Sequence, residues 1–243
     1  MKIIPYQESY SSVNLRRLDP IFWIFISLMI LAAVLLILSV FVPYLYQYRL
    51  FLSIAVAILF VPSIKVINAF VNKIRGFSLG KKGEDIVAEE LKSTLDDNYV
   101  YITNYQIPDT KIGDIDDLLI GPKGIIIIEV KNLWGVYRFC GEDMYKRLNG
   151  DIYRLFRKSP TWQTSRQKEY LIQFLKGKGL SVRLIAIVVM AGGKISHICG
   201  PTGIFITETR KLTNHIFELN QIPDWSAELS NKIIAALNIE KSE

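Results

Sequence analysis

The sequence predicts an α/β fold, a mixed sheet flanked by helices, preceded by a two-helix transmembrane hairpin. Three observations lead there. Two apolar runs, 118–120 and 125–128, flank Gly121-Pro122-Lys123-Gly124 and read as a β-hairpin. Around it, segments of helical period alternate with short apolar runs, the order of a layered α/β unit. Ahead of it, residues 20–42 and 50–64 carry no charge at all. These divide the chain into an N-terminal tail (1–19), a membrane hairpin (20–75) and a globular domain (76–243).

The run 20–42 is long enough to cross a bilayer as a helix, which takes about 20 residues. It is too long, and starts too late, for a cleaved signal peptide, and no small-residue cleavage site follows it. The second stretch, Leu50 to Ile64, is bounded by Arg49 and Lys65. Lys65 can snorkel, and Val66 to Val71 extends the apolar character. Tyr44, Tyr46 and Tyr48 lie in the short link, where interfacial aromatics belong. Lys2, Arg16 and Arg17 precede the first stretch; Lys65, Lys73, Arg75, Lys81 and Lys82 follow the second; the link 43–49 holds only Arg49. The positive-inside rule therefore predicts a multi-pass protein of the cell membrane with both termini cytoplasmic.

Gly76 to Gly83 reads as a linker. Lys82 to Leu95 has apolar residues at helical spacing, at Ile86, Val87, Leu91 and Leu95. Tyr99 to Gln106 alternates as a strand. After the hairpin come strand-like pieces at 135–139, 143–148 and 152–156, a helix from Thr161 to Lys178 ended by Gly177 and Gly179, and strands at 182–190 and 204–207. Helices at 209–219 and 225–238 close the chain.

Chemistry concentrates on the hairpin. Glu129 and Lys131 are two apart on its second strand and share a face. Asp116, at the start of the first strand, comes to lie beside them. Charges in strands this apolar need partners. Two carboxylates and a lysine are what metal-assisted phosphodiester hydrolysis requires: Mg²⁺ held by one or two carboxylates plus waters, and a cation to orient the water or offset developing charge. The plain alternative is a strand ending in solvated charges.

Gly80-Lys81-Lys82-Gly83-Glu84, Gly113-Asp114-Ile115-Asp116, Gly121-Pro122-Lys123-Gly124-Ile125 and Ile128-Glu129-Val130-Lys131-Asn132 together resemble the nuclease-related domain (NERD) of the PD-(D/E)XK, restriction-endonuclease-like superfamily, over about residues 78–215. The resemblance implies a restriction-endonuclease-like sheet and a Mg²⁺ (or Mn²⁺) nuclease. It implies Glu84 as the acid on the first helix, Asp116 and Glu129 as metal ligands and Lys131 as the catalytic lysine. Ser159-Pro160-Thr161-Trp162-Gln163 resembles the segment that opens a later helix of that family and implies Gln163 as a site residue. Asp117 stands where many members have His, so no role of that His carries over.

The net charge of +6 has a location. Between 146 and 178, nine basic residues face only Asp151 and Glu169, with Tyr145, Tyr153, Phe156, Trp162 and Tyr170 interleaved or adjoining. Phosphate-neutralising cations among stacking aromatics suit a nucleic-acid surface, DNA in preference to RNA, with Arg154, Arg157, Lys158 and Arg166 as its contacts. The alternatives are a solvated face or one drawn to anionic lipid. Half the residues are hydrophobic and the mean hydropathy is +0.25, in keeping with a membrane bilayer as a second partner. Cys140 and Cys199 do not make a disulfide framework, and reduced thiols are expected. His197 and His215 have no zinc-site spacing with them.

The sequence thus points to a membrane-anchored, metal-dependent nuclease. The reading from another class is a catalytically silent NERD module that binds nucleic acid or a protein partner at the membrane.

Overall fold

The structure, a computed structural model, describes residues 1–5, 10–42, 46–110 and 112–239. The chain forms two compact units, Tyr10–Ser78 and Met1–Ser9 with Leu79–Glu243. In the first, helix α1 (Tyr10–Phe41) contains a twenty-residue apolar stretch, Phe22–Phe41, with a mean hydropathy of 3.0. Only 12% of its most apolar window is buried, and by length and composition the helix is long and apolar enough to cross a membrane. A second apolar stretch, Arg49–Ile58, is shorter. It opens helix α2 (Arg49–Thr94). Phe22 of α1 stacks on Phe70 of α2, ring centroids 4.4 Å apart.

The expected linker at 76–83 is helical, because α2 continues through it to Thr94. Glu84 consequently lies in a helix interior and not in a first turn. One of the glycines has a packing reason: a Cβ on Gly83 would come within 2.6 Å of the Asn132 Cβ. Asn132 also donates from Nδ2 to the Leu79 carbonyl at 2.7 Å. The absent side chain lets the helix approach the end of a strand, at a helix-propensity cost of about 1 kcal/mol.

In the larger unit six strands form a mixed sheet in the order β1-β2-β3-β4-β8-β10. They are β1 (Lys2–Pro5), β2 (Val100–Gln106), β3 (Asp114–Gly121), β4 (Gly124–Lys131), β8 (Leu184–Met190) and β10 (Phe205–Glu208). β2, β3 and β4 run antiparallel to their neighbours within this trio; β1 pairs parallel with β2, β4 with β8 and β8 with β10. A second sheet, order β7-β6-β5-β9, comprises β5 (Val136–Cys140), β6 (Asp143–Arg147), β7 (Tyr153–Leu155) and β9 (Lys194–Cys199). Helices α3 (Pro160–Gly177), α4 (Thr209–Glu218) and α5 (Ala227–Ala236) complete it. Predicted elements end within two residues of these bounds, as fraying ends usually do, apart from the starts of α1 and α2 and the two hairpin strands, which extend past the apolar runs 118–120 and 125–128. β1 and β9 were not anticipated. Both are short, and both are made strands by partners about 100 and 60 residues away in sequence.

Burial on both faces explains the run of isoleucines in β4. One face carries Leu118, Ile120, Ile125 and Ile127 against Leu171 and Leu175 of α3 and Ile233 of α5. The other carries Leu119, Ile126 and Ile128 against Val87 and Leu91 of α2 and Leu212 and Ile216 of α4. The buried Lys123 ammonium donates to the carbonyls of Phe217 (3.0 Å) and Leu219, tying the hairpin turn to the negative end of α4.

Cys140 and Cys199 are joined by a disulfide, contrary to the expectation of free thiols. They are register partners on β5 and β9, with Cα atoms 4.5 Å apart. A parallel pairing across 59 residues cannot be read from the spacing of two cysteines.

Gly124 has φ +110°, and a Cβ there would meet the Arg183 carbonyl oxygen at 2.5 Å. Gly124→Ala is expected to cost roughly 1–3 kcal/mol, as backbone strain of this kind does. Thermal unfolding of the full chain in detergent checks it; an unchanged midpoint would show that the turn relaxes freely.

Candidate active site

Strand alternation and the hairpin register decide which charges meet. The β3–β4 ladder ends at Asp117↔Ile128. Asp116 therefore shares the face of Leu118 and Ile120, and Glu129 and Lys131 that of Ile125 and Ile127. Just past the last pair, the Asp116 carboxylate takes the place of a backbone acceptor: Val130 N–H donates to Asp116 Oδ2 at 2.9 Å. Glu129 is fully buried. Lys131 Nζ donates to its Oε1, and Gln163 Nε2 donates to its Oε2 at 3.0 Å.

Gln163 reaches Glu129 because α3 covers this face of the sheet. Pro160 sits in the first turn of α3, where its missing N–H costs nothing. Ser159 and Thr161 fasten that turn to the Glu142 carbonyl. One helical turn past Gln163, Gln167 Nε2 donates to the Asp114 carbonyl at 2.8 Å. Two glutamines four residues apart thus pin one helix to both strands of the hairpin. Gln167 was not singled out from the sequence; its i+4 spacing from Gln163 is the available signal.

Negative charge is crowded here. Burial pushes the Glu84 carboxyl up to about 7, helped by the charges of Asp116, Asp114 and Asp85 against the pull of Lys131. Burial likewise raises Asp116, opposed by Lys131 and the Val130 amide. Glu129 is pushed up to about 8 by burial and then by Asp116, against the attraction of Lys131. Burial pulls the Lys131 ammonium down, but Glu129 and Asp116 outweigh it and hold it above its usual range. Asp114 adds to the field at all three acids, and sequence reasoning missed it. The signal was present: Asp114 is two residues before Asp116, hence on the same face.

Asp117 turns the other way. Its Oδ1 accepts from the Tyr101 hydroxyl at 2.5 Å on the opposite face, and burial holds its carboxyl well above the usual range. It faces away from Glu129, yet the charges of Asp116, Glu84 and Glu129 add to its rise. Among the described residues, no three His, Cys, Asp or Glu side chains are arranged as a ready-made metal cage. Of the predicted nucleic-acid contacts, Arg166 lies on α3 with its guanidinium 4.9 Å from the Trp162 ring centre. Arg154 on β7 and Arg157 and Lys158 in the connection to α3 are exposed.

The raised Glu84 value carries a pH signature. An unfolded glutamate loses its proton near 4.5, whereas the folded one keeps it to about 7. The folded state then binds more protons between these values, and stability falls as pH rises through that window. Glu84→Gln removes this loss. It is expected to be more stable than the parent by roughly 3–4 kcal/mol above pH 7, converting the shift at about 1.4 kcal/mol per unit. The advantage should shrink toward pH 4.5. Melting curves across that range decide it; a gap that widens on acidification would contradict the electrostatic account.

The family model of the nuclease-related domain, NERD, matches residues 79–191. No curated protein and no solved structure matches the chain. The matched segment contains Glu84, Asp114, Asp116, Glu129, Lys131, Gln163 and Gln167. Over these residues the chain is similar to the nuclease-related domain, and the candidate site lies entirely within them.

Proposed function

We propose that this chain is a membrane-anchored, Mg²⁺-dependent nuclease of the PD-(D/E)XK type that hydrolyses nucleic-acid phosphodiesters. The observation that carries the reading is the convergence of Asp116, Glu129, Lys131 and Gln163 on one face of one sheet. The donor set suits a hard divalent cation: oxygen ligands only, with carboxyls pushed toward neutrality by burial and then by neighbouring negative charge. Asp116 and Glu129 would hold Mg²⁺ or Mn²⁺, which when bound polarises a phosphate and lowers the pKa of a water.

The chain's own residues supply the rest. The Val130 amide fixes the Asp116 carboxylate, and Gln163 fixes that of Glu129, so neither has to be ordered during reaction. Lys131 remains protonated and sits beside both acids, placed to offset charge developing on a phosphate oxygen or to orient an attacking water. Glu84 adds a carboxyl that can exchange a proton near neutral pH. The basic residues Arg154, Arg157, Lys158 and Arg166 would neutralise the phosphate backbone, DNA in preference to RNA.

The direct test is incubation of the full chain in detergent with DNA and RNA panels, with and without Mg²⁺ or Mn²⁺. Metal-dependent cleavage is expected, and Glu129→Ala or Lys131→Ala should lower it by at least about 10²–10³-fold, the scale of losing a charge-stabilising group. Cleavage that survives Glu129→Ala would sink the mechanism. Binding without any cleavage would favour the silent module. One observation leans that way: both Glu129 oxygens already have protein partners.

Strand pairing constrains the membrane arrangement. β1 precedes α1 and β2 follows α2, yet the two are hydrogen-bonded neighbours. They therefore lie on one side of any bilayer, and the chain between them must cross an even number of times. If Phe22–Phe41 spans, the segment beginning at Arg49 returns, which supports a two-helix hairpin over a single anchor. The lysine and arginine distribution supports a cytoplasmic domain. The Cys140–Cys199 disulfide pulls the other way, since such bonds persist in oxidising compartments. Reporter fusions at residue 1 and after residue 243 should be active on the same side, the cytoplasm. Opposite sides would overturn the hairpin, and a shared exterior location would reverse its orientation.

A further inference from the structure

Gln163, which holds Glu129, also lines an open cleft of about 290 Å³. Asp109 and Ile112 of the β2–β3 connection form one wall, and Trp162, Arg166 and Tyr170 of α3 form the other. These three residues are spaced i, i+4 and i+8 and make a single stripe along the helix. The opposite stripe of α3 is buried through Thr164, Gln167, Leu171 and Leu175. Trp162 is thus 54% exposed and Tyr170 38% exposed on a helix with an ample apolar face elsewhere. The Arg166 guanidinium lies over the Trp162 ring.

Two aromatic faces and a planar cation form a stacking surface, and nucleobases are the planar groups that nucleic acid offers to such a surface. The cleft is just below the range of about 300–1,000 Å³ that encloses small ligands. A single base is within its compass; a base pair in a stacked duplex is not. Because one side chain, Gln163, touches both the cleft and Glu129, a base in the cleft belongs to a nucleotide beside the phosphate at the carboxylates.

We propose that the Trp162–Arg166–Tyr170 cleft receives one unpaired nucleobase next to the phosphate presented to Glu129 and Lys131, so that the chain takes single-stranded or frayed nucleic acid. The proposal rests on the nuclease reading for the identity of that phosphate. Trp162 and Tyr170 are positioning residues that stack on the base, and Arg166 keeps Trp162 in its rotamer while facing the backbone.

The test uses the full chain in detergent, with Ca²⁺ replacing Mg²⁺ to limit cleavage. Fluorescence anisotropy follows a short labelled single strand, the same strand with one abasic residue moved along it, and the blunt duplex. The single strand should bind more tightly than the duplex. One abasic position should weaken binding on the order of 10-fold, the loss of a stacked base. Trp162→Ala should erase that position dependence and Trp162→Phe should keep it. A flat abasic scan, a position dependence that survives Trp162→Ala, equal binding of the duplex or no binding of any strand overturns the proposal. Hydrolysis in Mg²⁺ is scored separately on the same preparations. Cleavage with a flat scan removes the cleft and leaves the nuclease reading; position-dependent binding without cleavage does the reverse.

Discussion

The buried carboxylate of Glu129 is the constraint on which the rest of the larger unit turns. A carboxyl in a strand interior is tolerated only when its oxygens are matched by hydrogen-bond partners. Here one oxygen is met by Lys131, two residues along the same strand, and the other by Gln163 on α3. The first partner is a matter of local alternation. The second requires α3 to sit at a fixed height on the sheet, and Gln167, the first turn of α3 and the β5–β6 turn at Glu142 all serve to hold it there. The close approach of α2 at Gly83 has a separate effect: it brings Glu84 within the field of Asp116.

Such a cluster works against the fold that carries it. Glu84, Asp116 and Glu129 are all pushed up by burial; the charge of Asp116 adds to that push at Glu84 and Glu129, and the charge of Asp114 at all three. A structure selected for stability alone would place apolar groups at these positions. Perturbed carboxyls grouped around one lysine are the physical reason to regard the place as a site and not as a strand end. Asp117 is the contrast in geometry: equally buried and raised in part by the same acids, but paired with a tyrosine on the other face.

The parallel pairing of β1 with β2 joins the extreme N-terminal segment to the domain after α2. Residues 10–78 are thereby an insertion between two adjacent strands, whatever the surroundings of α1. A domain cut free after residue 78 would expose the β2 edge that β1 now covers. The disulfide between β5 and β9 closes the second sheet in a comparable way, joining pieces that flank α3 and β8 in sequence.

The sequence by itself determined what depends on short range. Alternation put Glu129 and Lys131 on one face, the Gly-Pro-Lys-Gly turn set the hairpin register, and that register brought Asp116 to them; uninterrupted apolar runs marked the buried strands and an apolar helix at 20–42. The NERD-like motifs named Gln163 before any geometry placed it. Tertiary structure alone decided what depends on chain segments far apart. β1 and β9 are strands only because of their distant partners. Gly76 to Gly83 has the composition of a linker but is held helical, with Gly83 packed on Asn132. Cys140 and Cys199 bond because a parallel pairing aligns them, and Asp114 joins the acidic cluster because α2 and β4 converge on its strand. Local pattern carries periodicity and turn chemistry; it carries no information on which remote surfaces will meet, and in this chain those meetings complete the candidate site.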